Sequence, residues 1–393
     1  MPPKPDPQFR ADRTEAESVQ TDVRQCGIDI RAIAAAGLEH QQQYRTICQW
    51  DVCMLTVTDR LPEGLLEIEP TRLYEILDGP TLIHLPGRQA PPLFVSVLLH
   101  GNETTGFFAI QRLLKHYGDR QLPRALSILI GNVRAARERA RRLDSQPDYN
   151  RIWQGGDLPE HQMARQAIDE MARRSVFASI DIHNNTGRNP HYACITRLES
   201  PFLQLATLFG RTTVYFTQPK TVQANAFARL CPSMVVECGQ PGHSYGTQHA
   251  FELVDACLHL SHFSQRPVHP SAIDLFHTVA IVKVPDNVQI SFDSSSSADI
   301  CFQSNLDLLN FAELPAATRL ATYKPGREYS LHVTDEGQGE VSDRYFTYQN
   351  GEIRTKLAVT PSMLTLDPRI IRQDCLCYLM ERYPLTCKIE PVA

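Results

Sequence analysis

Residues 98–106 read LLHGNETTG, with a histidine and a glutamate three positions apart at the exit of an apolar run. Imidazole and carboxylate both ligate divalent cations, and a three-residue turn lets the pair chelate one ion. Taken alone, His100 and Glu103 read equally well as a strand ending in a polar turn. A second histidine, His183, closes another apolar run in SVFASIDIHNNTG. Two histidines and one carboxylate at neighbouring strand ends form a ligand set of catalytic zinc, in which a fourth position is left to water. Zinc held in this way lowers the pKa of that water to about 7. Asp181, two residues before His183 on the same strand face, can accept a hydrogen bond from an imidazole and orient it. Its other reading is a solvated or sheet-edge aspartate.

A third apolar run, in CPSMVVECGQPGHSYG, ends in Glu237. A carboxylate there can take a proton from water and return it to a leaving nitrogen. It can also simply cap the next helix. Between the first two runs lies GNVRAARERARRLDSQPDYNRIW, with five arginines from 134 to 142. Such a charge run is ordinarily a solvated helix face. Arg134, however, follows directly on the strand-like LSILIGN and can point into the same mouth. Asn150 and Arg151 can clamp a substrate carboxylate, for which a planar guanidinium is suited. His191 and His243 read as hydrogen-bonded loop residues rather than further ligands.

These side chains need a scaffold that brings strand ends together. Phe94–Leu99, Leu126–Ile130, Val176–Ile182, Thr213–Phe216 and Met234–Glu237 are short apolar runs of the buried-strand type. Helical periodicity separates them: Phe107, Ile110, Leu114 and Tyr117 share one face, and so do Ala250, Leu253, Val254, Cys257 and Leu258. The alternation predicts an α/β domain with a parallel or mixed sheet. In such sheets ligands bind at the carboxyl ends of the strands. QRPVHPSA, residues 265–272, reads as a linker, and the text after it is β-like, with Asn350-Gly351 as a hairpin turn. The predicted organisation is a tail and helical segment over residues 1–49, a catalytic domain over 50–268 and a smaller β-rich domain over 269–393.

A chain of 393 residues is long for one core, which fits that division. The net charge of −5 gives no basic field for nucleic acid, and the arginine run lacks interleaved aromatics. No apolar run approaches the ~18 residues of a membrane span. The start of the sequence has no secretory-type apolar segment. With that start, eleven cysteines, none in a CxxC pair, suggest reduced thiols and a cytoplasmic protein.

HGNE at 100–103, NVRA at 132–135, DYNR at 148–151, DIHNNT at 181–186 and VECG at 236–239 occur in an order that resembles the succinylglutamate desuccinylase/aspartoacylase family, a branch of the zinc carboxypeptidase superfamily. The resemblance covers roughly residues 93–245 and implies a zinc-carboxypeptidase-like mixed sheet flanked by helices, followed by a β-rich tail. It implies one zinc per chain on His100, Glu103 and His183, with Glu237 as general acid/base. Arg134 would polarise the scissile carbonyl, and Asn150 and Arg151 would hold a substrate carboxylate. Val133 departs from the proline common at that position. Arg188 and Arg229 align only loosely with family arginines and are given no role. The reading that results is a zinc-dependent amidohydrolase acting on a small carboxylate-bearing molecule such as an N-acyl amino acid. A metallocarboxypeptidase is the alternative enzyme, and a catalytically silent metal-binding protein the alternative of another class.

Overall fold

The structure, a computed structural model, describes residues 55–324 and 329–385. The tail and helical segment expected over residues 1–49 lie outside the described residues. The first strands are β1 (Thr56–Thr58), β2 (Thr81–Leu85) and β3 (Gly87–Val97), followed by helix α1 (Thr105–Tyr117) and β4 (Leu122–Ile130). Next come α2 (Val133–Arg137), α3 (Pro159–Arg173), β5 (Ala178–His183), β6 (Tyr192–Ile195) and α4 (Ser200–Phe209). β7 (Thr212–Tyr215), α5 (Gln223–Phe227), β8 (Ser233–Glu237) and α6 (Ser244–His259) complete the catalytic half.

β3, β5 and β8 are parallel neighbours at the centre of a mixed sheet. Their apolar residues are buried on both faces because helices cover both. Side chains alternate across the strand: Val95 and Val97 pack toward α1 and α6, whereas Phe94 packs toward α3 and α5. Phe94 stacks on Phe227 of α5 with ring centroids 4.4 Å apart. The predicted faces of α1 and α6 are the buried ones. Register levels the strand ends. Val97 pairs with Ile130, Ser96 with Asp181 and His183 with Glu237, so the chain leaves β3, β4, β5 and β8 along one edge.

Beyond residue 268, β9 (Asp274–Lys283) pairs parallel with β7, so the main sheet runs on past the expected linker. β10 (Ile290–Ser291), β11 (Ile300–Phe302) and β12 (Arg319–Tyr323) follow. Then come β13 (His332–Asp335), β14 (Phe346–Gln349), β15 (Glu352–Thr355), β16 (Thr360–Ser362), α7 (Pro368–Gln373) and β17 (Cys377–Arg382). β13, β16 and β17 join β9 in a sheet of twelve strands, and β10, β11, β12, β14 and β15 form a second sheet. This β-rich region has its own core, from Ala280 to Leu379. Asn350 and Gly351 have φ of 55° and 73°, the positive pair that a two-residue hairpin needs between Gln349 and Glu352. Among the described residues no helix is long and apolar enough to cross a membrane.

Candidate metal centre and active-site cavity

His100 and Glu103 lie in the turn between β3 and α1, where the Glu103 amide donates to the His100 carbonyl at 3.1 Å. Leu98 turns the chain out of β3 with φ of 57°, an uncommon conformation for a side chain of its size. Gly101 has to be glycine. A Cβ there would come within 2.2 Å of the Ala135 and Ala136 backbone at the start of α2. The Gly101 amide donates to the Arg141 carbonyl at 3.1 Å, which fastens this turn to the arginine-rich loop.

His183 arrives from the end of β5. Its Nδ1 is 3.1 Å from His100 Nδ1. Glu103 presents one oxygen to each ring, Oε1 at 2.9 Å from His100 Nδ1 and Oε2 at 2.7 Å from His183 Nδ1. The ligand atoms of the three residues lie within 4.8 Å of one another, and all three side chains are buried. The far ring nitrogens are held by carboxylates: His100 Nε2 meets Asp148 Oδ1 at 2.9 Å, and His183 Nε2 meets Asp181 Oδ2 at 2.8 Å. Ser96 donates to the other oxygen of Asp181 at 2.7 Å. This is the arrangement that leaves both Nδ1 atoms for one cation, with outer carboxylates fixing tautomer and ring orientation. The donor set fits zinc.

Burial works to raise the Glu103 carboxyl, but the adjoining His100 and His183 hold it below its ordinary range. Glu237 has the opposite balance. Burial dominates and pushes it up to about 8, although Asn185 Nδ2 donates to its Oε2 at 2.7 Å. Two buried carboxyls in one cavity, driven apart in this way, are suited to different tasks.

The cavity opens to solvent and is lined by His100, Glu103, His183, Asn150, Arg151 and Glu237, among others. Asn150 Nδ2 lies 3.2 Å from His183 Nε2, and its Oδ1 accepts the Gln223 amide at 3.0 Å. Arg151 donates to Asp374 Oδ1 at 2.9 Å.

Arg134 requires a correction. It is the second residue of α2, its side chain is exposed, and it is not among the residues lining the cavity. Following directly on a strand does not aim it inward, because Asn132 caps a new helix there through the Ala135 amide at 3.0 Å. The arginine of that charge run that does reach the cavity is Arg141. It is buried, 3.6 Å from Glu103 Oε1, 3.1 Å from Asp148 Oδ2 and 3.3 Å from Asp374 Oδ2. Arg188 pairs with Asp307, Arg229 is exposed, and His191 bonds to His249 Nδ1 at 2.8 Å. His243 immediately precedes α6, and none of these four lines the cavity.

The β-rich region adds Thr278, Ser362, Met363, Asp374 and Tyr378 to the wall. Asp148 was available to sequence reasoning as the aspartate two residues before Asn150. Arg141 was hidden in its charge run, and Asp374 has no local signature.

Residues 89–254 match the catalytic domain of the succinylglutamate desuccinylase/aspartoacylase family, and they contain every residue of the His–Glu–His cluster. Residues 89–254 are thus similar to the catalytic domain of that family. Solved structures support the same fold. The succinylglutamate desuccinylase from Chromobacterium violaceum is 15% identical, with a TM-score of 0.50 over 76% of this chain and 86% of that chain. A succinylglutamate desuccinylase/aspartoacylase from Rhodobacter sphaeroides is 12% identical, with a TM-score of 0.51 over 76% and 88%. Murine aminoacylase 3 is 14% identical, with a TM-score of 0.52 over 76% and 97%. No curated protein matches at the sequence level. The match over residues 89–254 indicates a hydrolase-type catalytic domain of the desuccinylase/aspartoacylase kind, and the cluster above is its candidate metal site.

Proposed function

We propose that the protein is a zinc-dependent hydrolase of the cytoplasm that cleaves the amide bond of a small carboxylate-bearing N-acyl amino acid. The observation that carries this reading is the convergence of three buried donors on one point, with Glu237 and two guanidiniums in the same cavity. His100 and His183, through Nδ1, and Glu103 would hold one zinc per chain. Bound there, zinc supplies a Lewis acid that polarises a carbonyl and lowers the pKa of water.

The chain's own residues account for the remaining work. Glu237 accepts a proton from the attacking water and delivers it to the leaving nitrogen. Arg141 places a fixed positive charge beside the cluster, where negative charge develops on the carbonyl oxygen. Arg151 binds the substrate carboxylate, and Asn150 holds the Arg151 loop against His183. Asp148 and Asp181 orient the two imidazoles.

The division at residue 268 is part of the same proposal: residues 50–268 carry the chemistry, and 269–393 close the cavity. Ser362, Met363 and Asp374 stand in its wall, which favours compact substrates over peptides and hence a deacylase over a carboxypeptidase. The net charge of −5 and the absence of a spanning helix among the described residues speak for a small-molecule substrate rather than nucleic acid or a bilayer. The test is to assay N-acyl amino acids beside tetrapeptides with the same C-terminal residue. Hydrolysis of the acyl amino acids is expected. Release of terminal residues from tetrapeptides alone would establish the carboxypeptidase instead.

A further inference from the structure

Arg141 and Arg151 are the only guanidinium or ammonium side chains lining the cavity among the described residues, and Asp374 lies between them. Asp374 Oδ1 accepts from Arg151 Nη2 at 2.9 Å, and Oδ2 accepts from Arg141 Nη2 at 3.3 Å. The aspartate directly follows α7, 223 residues beyond Arg151 in the chain. One carboxylate bridging two guanidiniums is how an enzyme would be expected to seize a carboxylate of its substrate. Here the chain supplies that carboxylate itself.

The two arginines differ in what remains to them. Arg141 is enclosed by Asp148, Asp374 and Glu103, and only 7% of its side chain is exposed. Arg151 is 28% exposed and gives one bond to the Asn150 carbonyl at 2.9 Å and one to Asp374. A guanidinium has five N–H donors, so Arg151 keeps enough for one incoming carboxylate. Elsewhere the wall mixes apolar side chains (Val214, Phe216, Val222, Val235) with neutral polar ones such as Gln218, Thr278 and Tyr378, and it offers a substrate side chain no further cationic residue. A second substrate carboxylate on the side chain, away from the metal ligands, would be partly desolvated near Asp374 with no cationic side chain to pair it.

We propose that Asp374 is a specificity-determining residue: it fills one of two anion positions at the arginine pair, so the cavity takes N-acyl amino acids with a single carboxylate and an apolar side chain and rejects dicarboxylates. The proposal rests on the hydrolase reading only for its turnover. Its binding content stands on the charges alone.

The experiment uses full-length protein loaded with zinc, together with Asp374→Asn and Asp374→Ser. Calorimetry compares 4-methylpentanoate, which has one carboxylate on an apolar arm, with glutarate, which has two carboxylates; neither has an amide to cleave. The wild type should prefer 4-methylpentanoate by about tenfold or more, the scale of one unpaired charged group. Either variant should recover about tenfold in glutarate affinity and much less for the monocarboxylate. A wild-type preference for glutarate overturns the proposal without any variant. Glutarate affinity unchanged or weakened in a folded variant also overturns it. In turnover, the ratio of kcat/KM for N-acetylglutamate over N-acetylleucine should rise in the variants. An equal fall for both substrates would mark Asp374 as structural and overturn the proposal. If no N-acyl amino acid is hydrolysed by any form while the binding switch holds, the hydrolase reading fails and the charge selection stands.

Discussion

The Nδ1 atoms of His100 and His183 stand 3.1 Å apart although 83 residues separate them in the chain. Parallel pairing of β3 with β5, in register from Leu93 with Ala178 to Ser96 with Asp181, brings the two strand ends together. Carboxylates at both Nε2 atoms turn the Nδ1 lone pairs toward each other. Two such lone pairs with Glu103 beside both are stabilised by a shared cation.

The outer carboxylates should therefore tune metal affinity without being ligands. Asp181→Asn keeps the shape of the side chain but not its charge, and zinc affinity in a chelator competition should fall by about 10–100-fold. His183→Ala removes a ligand and should lose stoichiometric zinc. Unchanged affinity in Asp181→Asn would show that the His183 contact does not orient a ligand.

Glu237→Gln should retain zinc and lower kcat by about 10²–10⁴-fold, the usual contribution of general acid–base catalysis. Burial pushes the Glu237 carboxyl up to about 8, and a base acts only when deprotonated. Activity should accordingly rise with pH through a limb above the ordinary carboxylate range, and the Gln variant should lack that limb. A limb near pH 4–5, the range of an unperturbed carboxyl, would contradict this assignment.

Arg141 and Arg134 separate the observed site from the sequence expectation. Arg134→Ala changes an exposed side chain and should leave stability within about 0.5 kcal/mol, with little loss of activity. Arg141→Ala leaves Asp148, Asp374 and Glu103 facing one another in a buried site, and breaking such a pairing costs about 3–5 kcal/mol. Urea unfolding of the two variants and their kcat/KM values check this. A large activity loss confined to Arg134→Ala would restore the first assignment.

Acid should destabilise the fold through the same network. Burial works to raise Asp374, but Arg141 and Arg151 hold it below its ordinary range, and Asp148 is held low in the same sense by Arg141 and His100. Groups depressed in the folded state contribute stability above their unfolded pKa, about 3.9 for aspartate, and lose it as pH falls through the folded value. Urea midpoints should thus drop steeply as the pH falls below about 4, and Asp374→Asn should flatten that dependence. A midpoint that climbs on acidification would be incompatible with the network.

The ends of β3, β5 and β8 were legible because their apolar runs stop at residues of metal-binding or proton-transfer type, and the structure brings His100, Glu103, His183 and Glu237 together there. α1 and α6 were legible from their apolar faces, and the β14–β15 hairpin from Asn350-Gly351. Tyr192–Ile195 is too short a run to announce β6, which pairs antiparallel with β8 and lends Tyr192 to the cavity. β9 follows a proline-rich stretch that reads as a linker, yet its pairing with β7 is decided by sheet edges and not by local text. Arg141 was illegible among five arginines because burial, unlike charge, has no signature in a polar run. Asp374 meets Arg141 across 233 residues, a contact that only the tertiary fold creates.

On the proposed mechanism, hydrolysis of N-acyl amino acids requires one zinc on His100, Glu103 and His183. The most direct test of that requirement is a zinc titration of chelator-stripped protein, with the rate of N-acyl amino acid hydrolysis as readout. The stripped protein should show no turnover, with recovery that saturates at one zinc per chain. Full turnover in the stripped protein would contradict the zinc requirement.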